Sequence, residues 1–205
     1  MKRFFVTGIS TEVGKTVTAA IIAEALEADY WKPIQAGDLD KSDSHTVKKL
    51  VSSKKTVIHK SSYELKSAMS PHAAAKIDNI TIELDKLREP ETENHLVIEG
   101  SGGLLVPLND HDTIMDIIMP NYKVIVVSRH YLGSINHTLL TIESLQQRGY
   151  EIAILFNGKE NVMTESIITK KAGAPVLGRI DEETKIDKEV VKKYANVFRP
   201  VLLSL

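Results

Sequence analysis

Apolar residues in this chain gather in short continuous runs, separated by polar stretches that hold most of the glycines. Phe4-Phe5-Val6, with aromatic and β-branched character, predicts a buried strand, and Ala19 to Leu26 has the composition of a helix. Asp29 to Ile34 reads as a second short strand running into the polar stretch Gln35–Asp43, with Ser44 placed as the N-cap of a helix through Val51. Residues 53–70 are ambiguous, with a strand possible near Thr56-Val57-Ile58. Pro71 can open a helix over His72 to Lys76, and Thr81 another through Leu87. His95 to Glu99 predicts a strand that ends in an acid and the loop Gly100-Ser101-Gly102-Gly103. A short helix over Thr113–Met119 precedes the most continuous strand signal, Lys123–Ser128. Ser134 to Arg148 is an amphipathic helix with Ile135, Leu139, Ile142 and Leu145 on or near one stripe. A strand at Ile152–Phe156, a helix at Asn161–Lys171, a strand at Pro175–Gly178 and a charged helix at Lys185–Ala195 complete the pattern. Strands alternating with helices predict one α/β domain over residues 1–205, with a mostly parallel sheet and helices on both faces. Ligands bind such sheets beyond the carboxyl ends of the strands, which is where the polar clusters fall.

The first cluster has the most specific chemistry. Thr7-Gly8-Ile9-Ser10-Thr11-Glu12-Val13-Gly14-Lys15-Thr16 links the first strand to the first helix, the setting of a phosphate-binding P-loop. Glycines let backbone N–H groups come close to phosphate oxygens, and the helix N-terminus adds unpaired donors and a favourable dipole. Lys15 would reach the β/γ-phosphates and the Thr16 hydroxyl would ligate Mg²⁺. Five residues separate Gly8 from Gly14 where the usual motif has four. Motif and context agree, so a P-loop NTPase fold is expected over a chance Gly-Lys-Thr.

Composition narrows the rest. With 26 basic and 27 acidic residues in 205, the charge balance gives no bulk attraction to nucleic acid. The absence of cysteine removes disulfides, thiolate metal sites and a cysteine nucleophile or glutaminase. The chain enters a strand with no cleavable leader pattern and has no apolar run of membrane-spanning length. A cytoplasmic enzyme without nucleic-acid or membrane partners is the expectation.

The other clusters supply what a phosphate loop needs. Glu99, at a strand end, is placed to meet a metal held by Thr16, since Mg²⁺ prefers oxygen ligands. Asp43 is a second acid, with Asp38 and Asp40 competing for the role. Lys32 alone reads as a surface lysine beside a turn, and next to a P-loop as a cation for developing phosphoryl charge. Ser134-Ile135-Asn136-His137 opens a helix after Gly133, and fits a carboxylate site or a plain N-cap equally. His72, His111 and His137 lack neighbours at metal-ligand spacing, and Asn157-Gly158 is by itself a turn.

Taken together, Thr7 to Thr16, Trp31-Lys32-Pro33, Ser42-Asp43, Ser70-Pro71-His72, Glu99 to Gly103, Leu132-Gly133-Ser134-Ile135-Asn136-His137 and Asn157 resemble the dethiobiotin synthetase family, which shares the five-residue P-loop spacing. The resemblance covers the chain to about Asn157. It implies a homodimer with its substrate site at the subunit interface. It also implies conversion of 7,8-diaminopelargonate, CO₂ and ATP (or another nucleoside triphosphate) to dethiobiotin, the nucleoside diphosphate and phosphate, through a carbamate and a carbamic–phosphoric anhydride. By the same resemblance Thr16, Asp43 and Glu99 hold Mg²⁺, and Lys15, Lys32 and Thr11 are the catalytic groups. Glu12, Val13, Gly14, Lys15, Thr16, Val17, Asp43, Glu99, Gly100, Gly102 and Asn157 bind nucleotide. Thr11, Lys32, Ala36, Ser101, Gly102, Gly133, Ser134 and Asn136 bind the diamine substrate.

Two positions depart from the family pattern. Ala36 stands where a Ser or Thr is usual, and Leu177-Gly178-Arg179-Ile180-Asp181 replaces a Leu-Gly-x-Ile-Pro segment, which leaves the choice among ATP, GTP and CTP open. The rival reading, a partitioning or maturation switch ATPase, calls for an early loop lysine where this chain has Ser10.

Overall fold

In the computed structural model, which describes residues 1–205, the buried run at the start of the chain becomes the central strand of the sheet. The elements are β1 (Arg3–Gly8), α1 (Lys15–Leu26), β2 (Asp29–Trp31), β3 (Ile34–Ala36), α2 (Asp43–Leu50), β4 (Ile58–His59), β5 (Tyr63–Leu65), α3 (Pro71–Ile77), β6 (Leu96–Gly103), β7 (Lys123–Arg129), α4 (Ser134–Gln147), β8 (Glu151–Asn157), α5 (Val162–Ala172), β9 (Val176–Ile180) and α6 (Lys188–Ser204). Seven strands form one parallel sheet in the order β4-β2-β6-β1-β7-β8-β9, and β3 pairs with β5 in a small second sheet. Helices α1, α2 and α6 pack together on one side, and α4 lies against β7, β8 and α5 on the other. A sheet covered on both faces needs apolar residues at successive positions, which is why β1, β6 and β7 read as continuous runs. The C-terminal ends of β1 and β6 meet at the switch point where α1 begins.

Beyond shifts of a few residues at element ends, and a helix expected over Thr113–Met119 that is only a 3-10 turn at Ile114–Ile117, the expected elements differ from the observed ones at five places. The strand expected over Asp29–Ile34 breaks at Lys32-Pro33: Ile34 to Ala36 leaves the main sheet to pair with Tyr63–Leu65, while the Pro33 carbonyl accepts from Ser62 and Tyr63 N–H. Ser42, not Ser44, caps α2, its hydroxyl accepting from the His45 N–H at 3.4 Å. The helix expected from Thr81 shrinks to one turn, Leu84–Lys86, because only Ile82 of that segment is buried deeply and no apolar face supports more turns. The glycine run after Glu99 continues β6 to Gly103. The last helix runs to Ser204, since Phe198 and Leu202 extend its buried face. The apolar side of that helix therefore belongs to the core. No helix is long and apolar enough to cross a membrane.

Candidate functional site

The loop between β1 and α1 is shaped by a backbone that only a few residues tolerate. Gly14 caps α1 with φ 98°, and a Cβ there would lie 2.3 Å from Asn157 Nδ2. Glu12 also adopts a left-handed φ of 55°, the kind of conformation that collects at ligand-binding loops. The loop is held from β7 and β8: Arg129 donates to the Glu12 carbonyl at 3.2 Å, and Asn157 donates to the Val13 carbonyl at 2.8 Å.

Lys15 opens α1, is almost fully buried, and has one bond, to the Ser10 carbonyl at 3.0 Å. Burial is the main reason that its pKa falls to about 8; the charge of Lys32 pushes the same way, against the pull of Glu99 and Asp43. This ammonium is short of anionic partners. Lys32 is the opposite case. Buried at the end of β2, it lies 2.7 Å from Asp43 Oδ2 and 3.1 Å from Glu99 Oε1. Burial alone would lower its pKa, but Glu99 and then Asp43 outweigh that and raise it. Asp43 is held below its usual range because the Lys32 charge and hydrogen bonds outweigh its own partial burial.

Thr16 Oγ1 sits 2.9 Å from Asp43 Oδ1 and 2.9 Å from Glu99 Oε1, although one hydroxyl hydrogen can satisfy one carboxylate only. Glu99 is 1% exposed, and its other oxygen accepts from the Tyr30 hydroxyl at 2.7 Å. Burial, then the Glu99 charge, drives the Tyr30 pKa well above the usual tyrosine value, so its phenol stays a donor.

These groups line one cleft of about 630 Å³, which takes in Thr11, Glu12, Gly14, Lys15, Thr16, Val17, Lys32, Ala36, Asp43, Glu99, Ser101 and Gly102. Val13 lies behind the loop, in the core. Gly100 packs against Phe5 and Ile114, where an added Cβ would come within 3.2 Å of each, so it backs the cleft. The Ser101 hydroxyl is engaged by the Ile34 carbonyl at 2.7 Å. Gly133, Ser134 and Asn136 stand apart, along a separate cleft of about 810 Å³ at the start of α4. Of the three competing acids, α2 brings Asp43 inward and leaves Asp38 and Asp40 exposed.

Sequence reasoning passed over Tyr30, Gln35, Lys41 and Arg129. Lys41 is on the cleft rim. Gln35, 6% exposed, accepts from the Asp43 N–H at 3.3 Å and donates to the Gly37 carbonyl at 3.0 Å, fixing the turn that delivers Asp43. The signal for Tyr30 was its place two residues before Lys32, hence on the same face of the strand.

No group of three acidic or histidine side chains forms a metal cage. Thr16, Asp43 and Glu99 nonetheless suit Mg²⁺, which is held by one or two carboxylates together with phosphate oxygens. Octahedral ligands at 2.0–2.1 Å put neighbouring oxygens about 2.9 Å apart, and the Thr16 hydroxyl lies at that separation from both carboxylates.

A family model described as an AAA domain matches residues 2–190. The chain is 58% identical over 205 residues to the ATP-dependent dethiobiotin synthetase BioD of Christiangramia forsetii, covering 100% of this chain and 99% of the relative. It is 50% identical to the protein of that name from Cytophaga hutchinsonii, covering 95% and 96%. Among solved structures it resembles a ParA family ATPase from Chlorobium tepidum (TM-score 0.56, 17% identity, 95% and 98% covered). It also resembles a putative plasmid partition protein from Borrelia burgdorferi bound to AMPPNP (TM-score 0.60, 13% identity, 100% and 99% covered). At those identities the structural likeness concerns the fold alone.

Proposed function

The chain belongs to the ATP-dependent dethiobiotin synthetase family of ligases, and from that membership we propose how its cleft carries out the reaction. The observation that carries the proposal is the meeting of two cations, Lys15 and Lys32, with the oxygen set Thr16, Asp43 and Glu99 in one cleft. Such a site works by positioning and by stabilising charge.

One amine of 7,8-diaminopelargonate attacks CO₂ and, losing a proton, becomes a carbamate. A carbamate oxygen then attacks the γ-phosphorus of ATP and ADP leaves. The second amine attacks the carbamoyl carbon of the mixed anhydride, phosphate departs, and the ureido ring closes. Lys15, which has no carboxylate bonded to it, follows the charge on the transferring phosphoryl group. Lys32, anchored by two acids, holds the carbamate oxygens beside it. Thr11, at the cleft wall, lies beside the reacting amines. Thr16, Asp43 and Glu99 hold Mg²⁺, which supplies charge neutralisation for the phosphates. Asn157 donates one amide hydrogen to the Val13 carbonyl and keeps its side-chain oxygen and its second amide hydrogen for an edge of the base.

Gly133, Ser134 and Asn136 bind the substrate carboxylate at the N-terminus of α4. Their place along a cleft separate from the P-loop supports a role in the active site of a second copy, with a homodimer as the working unit.

Turnover in ¹⁸O-labelled CO₂ and bicarbonate tests the chemistry. The carbamate oxygen that attacks phosphorus leaves with it, so the released phosphate should carry one label from the carbon source. Phosphate free of label would contradict the anhydride.

A further inference from the structure

Glu99 is bonded at both oxygens, and the two sets of partners differ in kind. Oε1 faces the cleft, where Thr16 Oγ1 and Lys32 Nζ lie at 2.9 and 3.1 Å. Oε2 faces the interior and accepts from the Tyr30 hydroxyl at 2.7 Å, with Tyr30 itself wholly buried. The strands account for this. Tyr30 pairs with Val97 across β2 and β6, so its side chain shares a face with Val97 and with Glu99 two residues on. The phenol is long enough to span that diagonal offset. Lys32, two residues after Tyr30, flanks the same carboxylate from the cleft side.

We propose that Tyr30 is a positioning residue for the metal site: its phenol occupies Glu99 Oε2, so the carboxylate presents a single oxygen, Oε1, beside Thr16 and Asp43. The proposal rests on the reading of Thr16, Asp43 and Glu99 as Mg²⁺ ligands. Mg²⁺ demands near-ideal octahedral geometry, so a carboxylate free to turn is a poorer ligand than one pinned through its distal oxygen. Ligating carboxylates are commonly pinned by such outer hydrogen bonds, and losing one typically weakens metal affinity about 10–100-fold. Tyr30→Phe keeps the ring that fills the core and removes only the donor, leaving Oε2 buried without a partner.

The test is equilibrium binding of a non-hydrolysable ATP analogue by calorimetry, with and without Mg²⁺, to the full chain, Tyr30→Phe, Glu99→Gln and the double variant. Circular dichroism and a melting curve confirm that each is folded. Tyr30→Phe should bind the metal-free analogue within about twofold of the parent and need about 10-fold more Mg²⁺ for half of the metal-dependent tightening. In the Glu99→Gln background, adding Tyr30→Phe should change the Mg²⁺ response no further. An unchanged Mg²⁺ requirement in Tyr30→Phe, with Glu99→Gln impaired, overturns the role of Tyr30 alone. An unchanged requirement in Glu99→Gln overturns the metal site on which it rests. If Tyr30→Phe fails to fold, 3-fluorotyrosine incorporated at position 30 keeps the ring and the hydroxyl while strengthening the hydroxyl as a donor, so it must shift the Mg²⁺ requirement, and a folded fluorotyrosine protein with the parental requirement also overturns the proposal.

Discussion

Two lysines share the cleft in opposite electrostatic states, and the difference assigns their work. Lys32 is matched by Asp43 and Glu99, whereas Lys15 is buried with a lone carbonyl for a partner. An ammonium that burial has left undercompensated gains most from an incoming phosphate. Lys15→Ala should therefore fold normally yet lose about 10²–10³ in turnover, the range for removing one charge-stabilising donor. A folded Lys15→Ala protein with near-normal turnover would contradict the assignment. Lys15, Thr16 and Glu99 were legible in the sequence because each stands at a fixed offset from a strand end. Asp43 was not separable from Asp38 and Asp40, since the choice depends on Ser42 capping α2 and on Gln35 holding the Asp43 N–H. Tyr30 looked like an ordinary strand residue, because its partner is 69 residues away.

At the scale of elements, the strong apolar runs became the strands they predicted, and the misreadings fell on short segments whose shape comes from tertiary contacts. Strand β2 is three residues long and would be weak alone. Asp29 fastens it: the carboxylate accepts from the Val57 N–H at 3.0 Å, from Thr92 Oγ1 at 2.6 Å and from Asn94 Nδ2 at 3.3 Å, with His59 Nε2 at 3.0 Å. Burial would raise its pKa, but these partners, Thr92 first, outweigh burial and hold it below the usual range. A depressed carboxyl pKa contributes stability that is present above the unfolded value of about 3.9 and lost as pH falls through the folded value. Denaturant midpoints should thus fall for the parent as pH drops below about 5. Asp29→Asn should be less stable at pH 7 and show a flatter acid limb. Parallel limbs for the two proteins would contradict the latch. None of this network could be read locally, since its members come from the ends of three separate segments.

For the whole molecule, the parallel α/β architecture was legible from the alternation of runs, and the placement of the P-loop at the switch point followed from it. The distance between the α4 cleft and the P-loop cleft was not, because separation depends on how far the β7–α4 connection carries Gly133 from the sheet. That separation makes the dimer a testable part of the account. Asn136→Ala should raise the diaminopelargonate KM more than the ATP KM. Co-refolding equal amounts of Lys15→Ala and Asn136→Ala at limiting diamine should restore about a quarter of parental activity, because half of the dimers are mixed and each mixed dimer has one intact site. No recovery would place both groups in one chain. The likeness to partition ATPases leaves one broader contrast, between a synthetase that spends ATP on a substrate and a switch that hydrolyses it alone. Phosphate release with Mg²⁺, bicarbonate and ATP, measured with and without 7,8-diaminopelargonate, separates them directly. Release that requires the diamine and matches dethiobiotin formed is the predicted result, and release at the same rate without the diamine would contradict it.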